Sequence, residues 1–327
     1  MNTSTVLFKH VVRASMVVVT ALLCYGSVSS ISAQDSMTGQ WIVEVKPGTE
    51  HAYVSINRRS ERGNHSMSTS DFRRDSLQGL SDAQITSSGT TVSFHIVREA
   101  GTFNCEGWFK DGKGSGTFTF APNPAFTSEM RGLGFDRIDG ETQYSMAVHD
   151  IGTRFVRELG SLGYDHLTTD NLFAMRIHGA GPEFIRTMQA QGYDQIPVDN
   201  LVAMRIHGVR PEFINDLKSL GYEHPPIDQL VAMRIHGVST EFIRALVDSG
   251  YERPPIDQLV AMRIHGVKNE FINELKDLGY DHVPIDQLVA MRIHRVNAEF
   301  IKKMRARGFN NASINQLIDL KIHGFDK

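Results

Sequence analysis

The 327-residue sequence is poor in cysteine, with two, and shows no excess of one charge: 34 lysines and arginines stand against 37 aspartates and glutamates, for a net charge of −3. Two cysteines exclude a disulfide framework. The balance of charge removes the basic footprint of a general nucleic-acid binder, and no nucleic-acid partner is expected. Long hydrophobic runs are also missing. The apolar stretch Met16 to Tyr25 falls short of the about 20 residues that span a bilayer. Catalytic signatures are absent in turn. There is no His-Glu-x-x-His, no Gly-x-Ser-x-Gly, no phosphate-binding glycine loop and no Cys-x-x-Cys. No catalytic, cofactor-binding or metal-ligating residue is therefore assigned, and a non-enzymatic protein without cofactor is expected.

What is present begins with an export signature. Lys9, His10 and Arg13 form a basic start, Met16 to Tyr25 an apolar centre, and Ile31-Ser32-Ala33 a cleavage site before Gln34. Residues 1–33 read as a secretory signal peptide. The alternative is an uncleaved anchor. Cleavage leaves Cys105 as the single cysteine, read as a small buried hydrophobe. The product is expected to be exported, periplasmic or secreted, and not stably inserted in a membrane.

Residues 34–123 carry strand patterns. Trp41, Val43 and Val45 share one face; Val92, Phe94 and Ile96 alternate with Ser93 and His95, Phe103, Cys105, Gly107 and Phe109 with Asn104 and Glu106, and Phe118 and Phe120 with Thr117 and Thr119. Period-two alternation marks half-buried antiparallel strands. Glu99-Ala100-Gly101 and Asp111-Gly112-Lys113-Gly114 read as hairpin connections, so the last three strands form a meander. Arg58 to Ser70 reads as a long loop or an edge hairpin. The expected fold is a small antiparallel β-sandwich or barrel. Gly39-Gln40-Trp41 resembles the opening of lipocalins, which keeps open a barrel holding a small apolar or glycan ligand. His51, His65, Asp71, Arg73, Arg74 and Asp75 form a polar loop cluster without a motif.

Residues 124–326 are seven copies of one 29-residue unit. His149, His178, His207, His236, His265, His294 and His323 recur at that spacing, as do Phe126 to Phe300 and the pairs Gly134-Phe135 to Gly308-Phe309. Each unit reads as two short helices. In residues 211–237, Pro211 suits a first helical turn. Phe213, Ile214, Leu217 and Leu220 share a helical face. Gly221 ends that helix. Asp228 caps or charges the start of the next. Leu230 to His236 forms the more buried second helix, closed by Gly237. Helices this short need stacking for stability, so the expected architecture is an α-solenoid of seven helical hairpins. A leucine-rich-repeat-like solenoid is the alternative, because Leu230-x-x-Met233-x-Ile235 also fits a repeat strand.

Three polar ladders accompany the unit. The histidines are too far apart to share an ion, at the about 10 Å of packed helices. They read as caps whose rings bond terminal carbonyls. Arg176, Arg205, Arg234, Arg263 and Arg292 are expected to bridge the acidic ladders Asp170 to Asp286 or Glu183 to Glu299, fixing registry between units. Loop positions that vary from unit to unit, His166, Gln195, His224, Arg253 and His282, are the candidate partner-binding residues.

The unit IDQLVAMRIHGV…PEFI…L…LGY, preceded by REAGTFNCEGWFKDGKGSGTFTFAPNPAF, resembles the extracytoplasmic C-terminal region of beta-lactam-sensor-type membrane metallopeptidases, a module that also occurs in stand-alone secreted proteins. The peptidase part, its membrane helices and its zinc motif have no counterpart here, so no catalytic residue is carried over. The resemblance implies a sensor-accessory or scaffold role at the bacterial envelope, with an envelope protein as partner. Two readings stand: the repeat array binds a protein, or the β domain binds a small ligand and the repeats position it.

Overall fold

The computed structural model describes residues 37–46, 48–59 and 65–325; of residues 59 and 65–71 only the backbone is described. Residues 1–33, expected from the sequence to be an export signal, lie outside the described residues. The chain divides between Asn123 and Pro124 into two compact units.

Among the described residues the first unit holds seven strands: β1 (Met37–Val45), β2 (His51–Arg59), β3 (His65–Arg73), β4 (Leu77–Gln78), β5 (Thr90–Arg98), β6 (Gly101–Lys110) and β7 (Lys113–Pro122). They form a single antiparallel sheet in the order β3-β2-β1-β7-β6-β5-β4. One sheet curled into a nearly closed barrel takes the place of the sandwich alternative. The expected meander is β5-β6-β7, and of the stretch Arg58 to Ser70 the described residues 58–59 and 65–70 belong to the paired strands β2 and β3 at the sheet edge. Sequence pattern missed β4 and the one-turn helix α1 (Asp82–Ile85), which is closed by a capping box from Ser81 and Gln84.

Trp41 centres this core. Its ring is fully buried, stacked on Phe109 at 5.8 Å and edge-on to Phe94 at 4.9 Å. A buried indole N–H needs an acceptor. Trp41 Nε1 donates to the carbonyls of Glu106 at 3.2 Å and Thr117 at 3.0 Å. The approach requires Gly107 and Gly116, which pair across β6 and β7; a Cβ on Gly107 would collide with the Trp41 ring. Phe103, Phe118 and Phe120 fill the remainder. The polar cluster is not one loop: His51 opens β2, His65 and Asp71 belong to β3, and Arg74 and Asp75 lie in a single 3-10 turn. Arg73 pairs with Asp75 at 3.1 Å, and Arg74 pairs with Asp82.

The second unit is fourteen helices in seven pairs. The first helices of the pairs are α2 (Pro124–Gly132), α4 (Thr153–Ser161), α6 (Pro182–Ala190), α8 (Pro211–Ser219), α10 (Thr240–Asp248), α12 (Asn269–Asp277) and α14 (Ala298–Ala306). The second helices are α3 (Gly140–Val148), α5 (Thr169–His178), α7 (Val198–Ile206), α9 (Ile227–Ile235), α11 (Ile256–Ile264), α13 (Ile285–Ile293) and α15 (Ile314–Ile322). The leucine-rich-repeat alternative fails here, because Leu230, Met233 and Ile235 lie in α9 and not on a strand.

From α5 to α15 the second helices stack on one another in unbroken succession. Leu172, Leu201, Leu230, Leu259, Leu288 and Leu317 are fully buried with Met175, Met204, Met233, Met262 and Met291. Helices of nine residues cannot hold alone, so this layer supplies their stability. Glycine ends both helices of a typical unit. In α9 the Val238 N–H reaches the Met233 carbonyl at 2.8 Å while Gly237, at φ 70°, bonds the Arg234 carbonyl at 3.3 Å. This double closure needs a left-handed residue. Asp150 and Arg295 adopt it without being glycine. Asp228 charges the first turn of α9 but does not cap it, since Pro226 holds the cap position without a side-chain bond.

Candidate functional site

The repeated side chains sort into those that lock units together and those left facing outward. The arginine ladder locks. Arg176, Arg205, Arg234, Arg263 and Arg292 lie over the phenylalanine of their own unit, Phe155, Phe184, Phe213, Phe242 and Phe271, at 5.0 to 5.3 Å. In the first three, Nε donates to the carbonyl of His149, His178 or His207, which closes the second helix of the preceding unit, at 2.9 to 3.3 Å. One guanidinium thus fastens its own two helices and a neighbour's helix end. The expected bridge to the acidic ladders is not formed. Among the described residues Arg176 with Asp150, at 2.6 Å, is the one ion pair of this ladder, and Asp150 belongs to neither acidic ladder. In Arg205 and Arg234 a phenylalanine face and the preceding unit's terminal carbonyl engage the guanidinium in place of the ladder carboxylates.

A tyrosine device went unread in the sequence. The hydroxyls of Tyr164, Tyr193, Tyr222, Tyr251 and Tyr280 donate to carbonyls 32 residues ahead, Ile196, Pro225, Pro254, Val283 and Ala312, at 2.7 to 2.8 Å. Burial raises the Tyr164, Tyr193, Tyr222 and Tyr251 hydroxyls above their ordinary 10.0. The first and seventh units carry Phe135 and Phe309 at this position and have no hydroxyl to donate. The first helices add exposed ion pairs, Arg157 with Glu129, Arg186 with Glu158 and Arg244 with Asp216, each to the preceding unit.

The five candidate loop residues are exposed, yet four lie against the preceding unit. Gln195 Nε2 donates to the Leu162 carbonyl at 3.4 Å, and Arg253 to that of Gly221 at 3.1 Å. His224 stacks on Tyr193 at 4.2 Å, and His282 sits over Gly250. Gln195, Arg253 and His282 also take positive φ. Only His166 makes no such contact among the described residues. The variation between units therefore tracks several ways of covering the previous helix end. The histidine rings depart from expectation too. Ring-to-carbonyl bonding occurs among the described residues at His323 alone, to Asp319 at 2.8 Å. His149 packs edge-on to Phe173, and burial, then the Arg176 charge, lowers its pKa.

The isoleucine before each histidine belongs to none of these devices. Ile177, Ile206, Ile235, Ile264, Ile293 and Ile322 are each 51 to 55 % exposed. Val202, Val231, Val260 and Val289, one turn earlier on the same helix face, are half-buried. On each second helix the leucine and methionine face the core while this valine and isoleucine form a second apolar edge. The all-round apolar run Leu230 to Ile235 had carried that information, since a core stripe needs only one face. A cleft of about 620 Å³ opens at the end of the seventh unit, lined by Phe309, Leu320, His323 and Phe325. Among the described residues no group of histidine, cysteine and carboxylate side chains is placed to hold a metal ion. Cys105 is buried, and burial pushes its thiol up to about 12. No helix among the described residues is long and apolar enough to cross a membrane.

No family model, no curated protein and no solved structure matches the chain.

Proposed function

We propose that this is a non-enzymatic interaction or scaffold protein, exported to the bacterial envelope, whose repeat domain binds a protein partner. The observation that carries the reading is the row of six half-exposed isoleucines, one on each unit from the second to the seventh. Soluble proteins scatter single apolar residues over their surfaces, but a row repeated in register marks an interaction site. Stacked repeats present such rows as extended binding surfaces. The export segment expected at residues 1–33 and the resemblance to envelope-sensor modules support the proposed location and accessory role.

The competing reading places a small ligand inside the β domain. The rings of Trp41, Phe94, Phe103, Phe109, Phe118 and Phe120 crowd that interior, which counts against it.

The test is site-specific photo-cross-linking of the full chain in its native cell. Probes at Ile206, Ile235 and Ile264 are expected to give one shared protein adduct, and probes at Glu212 and Glu241 on the first helices none. An adduct pattern independent of probe position would sink the reading.

A further inference from the structure

The isoleucine row has a spacing and a charged border, and both describe what fits it. Packed helices lie about 8–10 Å apart, so successive isoleucines step by about that distance. An α-helix rises about 10.5 Å over seven residues. A helix lying across the second helices therefore brings one side chain per heptad over each unit, and about 21 residues reach three units.

The border is cationic. Arg205, Arg234, Arg263 and Arg292 each directly precede an isoleucine of the row, and among the described residues none of them forms an ion pair. Each guanidinium is already stacked on a phenylalanine at 5.0 to 5.2 Å. A pre-oriented arginine loses little side-chain freedom when a carboxylate arrives, and its planar fork suits two carboxylate oxygens. An anionic membrane fits less well. Asp199, Asp228, Asp257 and Asp286 sit exposed in the first turns of the same helices and would face the surface, and half-sunk isoleucines do not reach into it.

We infer that the isoleucine row is a docking rail for an amphipathic α-helix of another protein, carrying an apolar residue at every seventh position and carboxylates along one flank. The inference deepens the scaffold reading and rests on it.

The test uses the full chain and a labelled synthetic helix of about four heptads, with leucine at every seventh position and glutamate on one flank. A twin peptide carries lysine in place of glutamate. Fluorescence anisotropy should show saturable binding of the glutamate peptide alone, weakening as salt rises. The variant Ile235→Ser/Ile264→Ser should bind at least about tenfold more weakly. Its circular dichroism should match the parent because both side chains are half-exposed. Asn215→Ser/Asn273→Ser, on the first helices, should bind as the parent does. Equal binding of both peptides, or an isoleucine variant that binds unchanged, would overturn the rail. So would failure of the peptide combined with sedimentation on phosphatidylglycerol vesicles, or with pairing of two copies through the row. If the cross-links from Ile206, Ile235 and Ile264 capture one protein while the peptide fails, the rail falls and the scaffold reading stands. If the peptide binds and no cross-link forms, the scaffold reading falls instead.

Discussion

In the β domain Trp41 bonds to carbonyls 65 and 76 residues away, and β1 pairs with β7 across the whole unit. In the repeat domain the hydrogen bonds that join one unit to the next span 26 to 33 residues. The first arrangement closes only when its two ends meet, so it gains little until nearly all of it is formed. The second gains a fixed increment with each added unit, in the manner of a one-dimensional array. Damage should therefore stay general in one region and local in the other.

The largest expected effect is Trp41→Ala. Removing a buried tryptophan costs about 3–5 kcal/mol, a large share of the about 5–15 kcal/mol that holds a domain. The whole β domain should open, and Cys105, whose thiol burial raises to about 12, should become reactive toward maleimide at neutral pH. Retained protection of Cys105 would mean that the core does not depend on this ring. Leu230→Ala, in the middle of the array, also costs about 2–5 kcal/mol, but hydrogen exchange should rise around α9 and its neighbours while distant units stay protected. Loss of protection from α4 to α14 together would break the comparison.

Arg234→Met should cost about 1 kcal/mol, from its stacking on Phe213 and its bond to His207. Because no carboxylate is involved, added salt should leave that cost unchanged; a cost that vanished in salt would restore the acidic bridge. Tyr222→Phe should cost about 1 kcal/mol at neutral pH. The tyrosine ladder also sets an alkaline limit. Burial favours the neutral hydroxyl in Tyr164, Tyr193, Tyr222 and Tyr251, so the folded array holds protons that the unfolded chain gives up near its ordinary value of about 10. Its stability is full below that value and falls as pH rises through the raised folded values. Melting followed from pH 8 to 11 should show this decline, lessened by each Tyr→Phe change. The smallest effect is expected at Arg295→Gly, where φ is 56°: a gain of at most about 1 kcal/mol, since glycine takes that conformation freely.

Local patterns in this sequence made the elements legible. Alternation placed β5, β6 and β7, and the 29-residue period placed all seven helix pairs. Pro211 and Gly221 marked a start and a stop because proline and glycine act on their own backbone. What escaped was whatever depends on a partner far along the chain. Trp41 revealed a strand but not the two carbonyls that hold its indole. Arg234 was readable as a registry residue but not its choice of a ring and a carbonyl over an acid, because three-dimensional distance decided the matter. The varied loop residues suggested recognition, yet Gln195 and Arg253 serve the preceding helix end. The exposed isoleucines were hidden by being apolar, which in sequence reads as core.

The fixed offsets have one more consequence. Arg234 reaches back 27 residues and Tyr222 reaches forward 32, and the same offsets recur in other units of the array. Excising residues 211–239 would put Arg263 in the place of Arg234, facing the carbonyl of His207, and would bring Tyr193 to that of Pro254. The unit is thus a cassette. Whole copies can be gained or lost without redesign of any junction, and the count of copies sets the length of the rail in steps of one heptad.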